Sequence, residues 1–331
     1  MQEVFECIFR NGLIPVLTVS DLTGIETYGR FFSLAGFGCL EVTLRTREAA
    51  QAIRILKNNF PGLTVGAGTV LNVDEGKKAL DAGSDFLVSP GFTVGVLEFC
   101  SRNSIPYIPG VQTPVEIQTA LEYGFNVLKF FPCEAAGGIR TLKALGAPFH
   151  SVGFIPTGGI NKENMKNYLA LDQVFALGGS FVVPSGTEIV ENFGENLLEA
   201  GSLRKAVNSF FIEQVKVMGE DFFYNSMAES GFGKIMKILD LEKESFEECF
   251  RSRGCISSGF SNSEKGGDVK GEVILSCLNL ERAGAVLKKE GFDFSRKKES
   301  GSGGFYLEII CSGWVFRIIR KINGDCHYQK V

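Results

Sequence analysis

The sequence predicts an α/β protein: a (β/α)8 TIM barrel over residues 1–209, followed over residues 210–331 by a small α+β domain of βαβββ type. Three observations carry this expectation. Between residue 12 and about residue 181, short apolar runs alternate eight times with segments of helical period, which fits a ring of parallel strands better than an open doubly wound sheet. The first strand lacks the Gly-x-Gly-x-x-Gly turn of a dinucleotide-binding sheet, and "VGAGTV" at 65–70 has no third glycine. Near residue 185 the alternation stops, and 331 residues exceed most single domains, so a second, smaller unit is expected.

In order, the strand candidates are "LIPVLTV" (13–19), "CLEVTL" (39–44), "TVGAGTV" (64–70), "FLVSP" (86–90), "YIPGV" (107–111), "VLKFFP" (127–132), "GFIPTGG" (153–159) and "VFALGGS" (174–180). Helix-like stretches lie between them, such as "REAAQAIRILKNN" (47–59) and "VDEGKKALDAG" (73–83), the second ending on Gly83 as a helix C-terminus does. Residues 183–215 read as a loop and a closing helix or two, and "FSNSEKGGD" (260–268) as a linker. The best-defined C-terminal module, 269–320, reads as strand "GEVILSCL", helix "ERAGAVLKKEG", then strands "FDFS", "FYLEII" and "WVFRII". One such module has too little core to stand alone, so it is expected to pair with residues 220–255 or with its copy in a neighbouring subunit.

A net charge of −4 without a sustained basic face argues against nucleic acid or an anionic membrane as a partner, and "SRKK" at 295–298 reads as a solvated turn. The nine cysteines are scattered singly with no C-x-x-C pair, which suggests a reducing compartment. There is no basic n-region with an apolar run behind it and no 18-residue apolar stretch, so a cytoplasmic location is expected. His150 and His327 are the only histidines and lie far apart, which disfavours a histidine metal site or a histidine-based nucleophile system. The chemistry is left to lysine, carboxylates and backbone, with no cofactor and no metal expected.

In a barrel, residues at the C-terminal strand ends face the active site. Lys129 is one of these, at the end of the sixth strand. It is either a snorkelling lysine or an amine held in an apolar pocket as a nucleophile. Glu41, Arg45 and Thr46 lie in and just after strand two, while Thr69, Pro90 and Thr157 end strands three, four and seven. An acidic side chain within an apolar strand is costly unless paired, and Lys129 is an available partner for Glu41. An amine, a carboxylate, a guanidinium and hydroxyls around one mouth suit a class I aldolase, in which the lysine condenses with a ketone and the carboxylate moves protons. The double glycines "TGGI" and "GGS", after strands seven and eight, offer backbone N–H groups to a phosphate.

With these residues, "GLIPVLTV", "GCLEVTLRT", "PGLTVGAGTVLN", "FLVSPGF", "IPYIPGVQTPVE", "LKFFPCEAAGG", "FIPTGGINKEN" and "ALGGSFVVP" resemble, in order and spacing, the 2-keto-3-deoxy-6-phosphogluconate (KDPG) and 4-hydroxy-2-oxoglutarate (KHG) aldolase family over about residues 5–205. The resemblance implies a Schiff base at Lys129, general acid/base chemistry at Glu41, and a pyruvoyl carboxylate held by Arg45 and Thr69. It implies also that Phe131 and Pro90 wall the pocket, that Thr157 touches substrate, and that Gly158, Gly159, Gly179 and Ser180 take the phosphate. The family's habit implies a homo-oligomer, a trimer of barrels, and a pairing C-terminal domain would make it a hexamer. Cys133, Phe181 and Thr18 depart from the family pattern beside the site. Other readings are a preference for KHG or for the galactonate epimer of the phosphorylated sugar acid, and a ligand-binding regulator built on the barrel. The C-terminal module is similar to half of a vicinal-oxygen-chelate (glyoxalase-like) domain, with Glu272 and Glu308 on strands but no histidine to join them in a metal site.

Overall fold

Every expected strand of the first half forms, each a little shorter than its apolar run. The structure, a computed structural model, describes residues 2–186 and 188–207 and, further on, 210–217, 271–277, 288, 294–298, 305–311 and 314–320. The chain divides into two compact units, Met1–Val207 and Asn208–Val331.

In the first unit, helix α1 (Gln2–Asn11) precedes strand β1 (Leu13–Leu17), and α2 (Ile25–Leu34) leads to β2 (Cys39–Thr43). Then come α3 (Ala49–Asn59), β3 (Thr64–Gly68), α4 (Val73–Asp81), β4 (Phe86–Val88) and α5 (Val94–Arg102). The fifth predicted strand is split into β5 (Tyr107–Ile108) and β6 (Gly110–Val111) by Pro109, which has no N–H for a ladder. The rest is α6 (Pro114–Glu122), β7 (Val127–Phe130), α7 (Gly138–Gly146), β8 (Gly153–Pro156), α8 (Met165–Leu169), β9 (Leu177–Gly179), α9 (Glu188–Glu191) and α10 (Phe193–Val207). Several helix starts are set by side chains: Asn72 accepts from the Glu75 N–H at 2.9 Å, and Thr113 with Glu116 forms a capping box behind which Pro114 opens α6.

The strands run parallel in two arcs, β5-β4-β3-β2-β1-β9 and β6-β7-β8. Isolated parallel bridges, Phe154 to Val174 and Thr157 to Gly178, tie β8 to the segment that carries β9. The result is a curled, TIM-barrel-like parallel sheet whose strands are buried on both faces: every residue of β2 and β7 is buried. Ile14, Cys39, Phe86, Val88, Ile108, Val127, Ile155 and Ala176 point inward and form one apolar core with Ile8 of α1. Because side chains alternate with period two, Glu41, Pro90, Lys129 and Thr157 belong to the same inward set, one step nearer the C-terminal strand ends.

The second unit is a five-stranded sheet in the order β10-β11-β14-β13-β12. Its strands are β10 (Phe210–Val217), β11 (Gly271–Cys277), β12 (Ser295–Lys298), β13 (Phe305–Cys311) and β14 (Trp314–Arg320). β11 and β14 are parallel and the other neighbours antiparallel. Three expectations are corrected here. "FFIEQV" is strand β10 rather than the end of a closing helix, in keeping with its β-branched and aromatic residues. β10 extends the sheet beside β11, and residues 220–255, the expected pairing partner of the module, lie outside the described residues. "SRKK" is an edge strand and not a turn; of the expected "FDFS" strand, Phe294 stays outside β12 and Ser295 opens it, while Phe292 and Asp293 lie outside the described residues. A charged run is a common edge strand because its side chains discourage further pairing. The linker at 260–268, His327, and all but Lys288 of the expected helix at 281–291 lie outside the described residues. Glu272 and Glu308 sit on β11 and β13, with β14 between them.

Candidate active site

The inward-facing set meets at one charged pair. Lys129 on β7 donates from Nζ to Glu41 Oε1 on β2 at 3.3 Å, and the side chains are only 7% and 3% exposed. Among the residues whose side chains are described, they are the only charged ones that are buried. Two charges leave water at a cost of several kcal/mol each, repaid only in good geometry, so a pair kept inside a curled apolar sheet points to a use beyond stability. The Phe131 ring lies 5.4 Å from Lys129 Nζ and forms an apolar wall beside the amine.

Gly68 makes room for Glu41. A Cβ at Gly68 would overlap the Glu41 carboxyl, coming within 2.6 Å of its Cδ, so the carboxylate lies directly over the glycine of the neighbouring strand. Sequence reasoning missed this residue, although its signal was present: glycine inside a strand marks a close approach, and "GAG" holds two on one face. Gly66 serves the floor below, where a Cβ would collide with the buried Phe86 ring.

The rim collects the other predicted residues. Arg45, exposed just beyond β2, donates from Nε to Thr69 Oγ1 at 3.4 Å. Thr69 has φ of 61°, a left-handed conformation costly for a β-branched residue and frequent at functional sites. Pro90 is half-buried at the end of strand four. Thr43, buried on β2 two residues past Glu41, shares a 2.9 Å hydroxyl contact with Thr18. Thr46 Oγ1 is buried without a hydrogen-bond partner among the described residues.

On the far side, buried Thr157 sits over Gly178, where a Cβ would strike its hydroxyl. Gly158 and Gly159 follow with φ of 92° and 83°. Three carbonyls of this turn are tied back: Thr157 O accepts from the Cys133 N–H at 2.7 Å, Gly158 O from the Glu134 N–H at 3.0 Å, and Gly159 O from Asn164 Nδ2 at 3.0 Å. In a trans peptide the N–H points opposite to the C=O, so the N–H groups of Gly158, Gly159 and Ile160 turn away from those partners. Gly179 is buried at the end of β9, and Ser180 beyond it is exposed. Behind the turn, Cys133 donates its thiol to Tyr168 Oη at 3.3 Å, and Tyr168 donates to Glu134 Oε1. Burial pushes the Cys133 thiol up to about 11 and raises the Tyr168 hydroxyl further. A separate cavity of about 510 Å3, lined by Phe5, Phe9, Tyr107, Phe125 and Phe175 among others, holds none of the predicted residues.

No group of three or more His, Cys, Asp or Glu suited to a metal ion occurs among the described residues, and no described helix is long and apolar enough to cross a membrane.

A buried amine and carboxylate toward the C-terminal strand ends of a curled, TIM-barrel-like sheet suit one class of protein, a Schiff-base aldehyde-lyase. The KDPG and KHG aldolase family model matches residues 5–195. The KHG/KDPG aldolase of Escherichia coli K12 is 41% identical over 181 residues, 54% of this chain and 85% of its own. Two solved structures are similar. The KDPG aldolase of Legionella pneumophila, with pyruvate captured at low pH as a covalent carbinolamine intermediate, has TM-score 0.56 at 39% identity, covering 62% of this chain and 96% of its own. That of Zymomonas mobilis ZM4, with 3-phosphoglycerate, has TM-score 0.58 at 34% identity and the same two coverages. The chain belongs to the KDPG and KHG aldolase family.

Proposed function

We propose that this chain cleaves 2-keto-3-deoxy-6-phosphogluconate to pyruvate and glyceraldehyde 3-phosphate, and 4-hydroxy-2-oxoglutarate to pyruvate and glyoxylate. The observation that carries the reading is the buried Lys129–Glu41 contact at 3.3 Å. Lys129 attacks the C2 carbonyl, water leaves, and the protonated imine becomes the electron sink. Glu41 takes the C4 hydroxyl proton as the C3–C4 bond breaks and its electrons pass into the enamine; the enamine is then protonated at C3 and the imine hydrolysed to release pyruvate. Arg45 and Thr69, joined by their own hydrogen bond, receive the substrate carboxylate, since a guanidinium fork matches it. Pro90 and Phe131 wall the reacting end and Thr157 contacts the substrate. Gly158, Gly159, Gly179 and Ser180 take the phosphate, and the N–H groups of the Gly158–Gly159 turn, directed away from the donors that hold its carbonyls, support that role.

Borohydride reduction in the presence of pyruvate should add one pyruvate-derived mass at Lys129. No adduct, or an adduct at Lys143 instead, would end the assignment. Specificity constants on KDPG, its galactonate epimer and KHG order the substrates, and a KDPG advantage over KHG is expected.

The two arcs of strands are read as one closed eight-stranded barrel, supported by the bridges between β8 and the β9 segment and by the continuity of β5 and β6 across Pro109. The glyoxalase-like reading of the C-terminal unit rests on the sequence resemblance alone. Trimeric barrels, joined to hexamers through that unit, follow from family habit, and light scattering on the full chain tests them.

A further inference from the structure

The Gly158–Gly159 turn is made of the two residues least able to hold a shape by themselves. Each glycine reaches positive φ without steric cost, but each also has other conformations open to it. N–H groups select an anion only when they are already aimed, so something else must hold the turn. We infer that Glu134, Tyr168 and Asn164 are positioning residues that brace this turn in its phosphate-binding shape. The inference rests on the aldolase reading only for what carries the phosphate.

The bracing comes from two directions. Asn164 clamps the Gly159 carbonyl with Nδ2 while its Oδ1 accepts from the Asn161 N–H at 2.9 Å, so the amide is held at both ends. Glu134 works by backbone and bulk together: its N–H holds the Gly158 carbonyl, and its Cβ and Cγ fill the space under Gly159, where a Cβ would come within 2.6 Å of both atoms. The two atoms keep that place only while the carboxylate beyond them is anchored. Tyr168, fully buried on α8, supplies that anchor by donating its hydroxyl to Glu134 Oε1. Cys133, also fully buried, supplies the donor behind Tyr168 at 3.3 Å. A thiol that keeps its proton at neutral pH gives the chain one direction, thiol to phenol to carboxylate.

Three variants of the full chain test this: Tyr168→Phe, Asn164→Ala and Glu134→Gln. The first frees the carboxylate, the second frees the Gly159 carbonyl, and the third keeps an acceptor for Tyr168 while removing the charge. Titration with inorganic phosphate and steady-state kinetics on KDPG and KHG are the readouts. Tyr168→Phe and Asn164→Ala should each weaken phosphate binding and raise KM for KDPG about tenfold, with kcat and the KHG specificity constant within about twofold. Glu134→Gln should stay near wild type. Equal losses on both substrates would mean mere structural support and would overturn the proposal, as would unchanged phosphate affinity. Should the wild-type chain cleave neither substrate, the aldolase reading fails alone, because the phosphate titration still decides. Phosphate affinity lost in the variants upholds the bracing, and affinity equal to wild type, or no binding by wild type, overturns it. Asn164 is only partly buried, so its variant keeps the test open if Tyr168→Phe folds poorly.

Discussion

Replacing Gly68 by alanine should disable the enzyme without touching a functional group. The added Cβ would stand 2.6 Å from Glu41 Cδ and 2.7 Å from its Cγ, where ordinary contact begins at 3.4 Å. The carboxyl must therefore retreat by about 1 Å, and it has little room, since Glu41 is 3% exposed and Thr43 pairs with Gly68 in the ladder between β2 and β3. A displacement of about 1 Å in a catalytic group costs roughly 100-fold in rate, and overpacking a buried site costs about 1–3 kcal/mol of stability. Gly66→Ala is the matched control. It adds the same methyl on the same strand face against the Phe86 ring in the apolar floor, so it should lose similar stability while kcat stays within a few-fold. The assay is steady-state cleavage of KDPG at a temperature where urea melts show all three proteins folded. A Gly68→Ala enzyme with wild-type kcat, or a Gly66→Ala enzyme equally inactive, would refute the claim that this glycine clears space for the Glu41 carboxylate.

Lys129→Ala should abolish borohydride trapping and lower turnover by at least about 1,000-fold, measured in the same cleavage assay. Glu41→Gln should keep the pyruvate adduct yet lose about 100-fold in kcat, a split that separates proton transfer from Schiff-base formation. Burial lifts the Cys133 and Cys100 thiols from 9.0 to about 11 and about 12. The folded state thus holds these protons more tightly than the unfolded one, so their stabilising contribution is intact below about pH 9 and is lost as pH rises through 11 toward 12; urea midpoints at about pH 8 and about pH 10.5 should show the decline. Thr113→Ala removes the α6 capping box and should cost about 1 kcal/mol in a urea melt, with kcat unchanged.

Strand positions were legible because both faces of each barrel strand are buried, which writes the strand into the sequence as an unbroken apolar run such as "LIPVL" or "FLV". Lys129 and Glu41 were legible for the converse reason: a charge inside such a run is conspicuous. The amphipathic cues were weaker past residue 207, where "FFIEQV" proved to be a strand whose partner β11 is distant in sequence, and "SRKK" an edge strand without the apolar residues that mark one. Pattern alone determined that the first unit is a parallel α/β sheet with an amine and a carboxylate in its strands. Only the tertiary structure decided that those two groups, 88 residues apart, meet at 3.3 Å, that Gly68 must be bare for them to do so, and that Asn164, Glu134 and Tyr168 stand behind the glycine turn. The physical reason is that local sequence sets a residue's backbone and the face it occupies, whereas a contact between distant strands depends on how the whole sheet curls and on how much space each neighbour leaves.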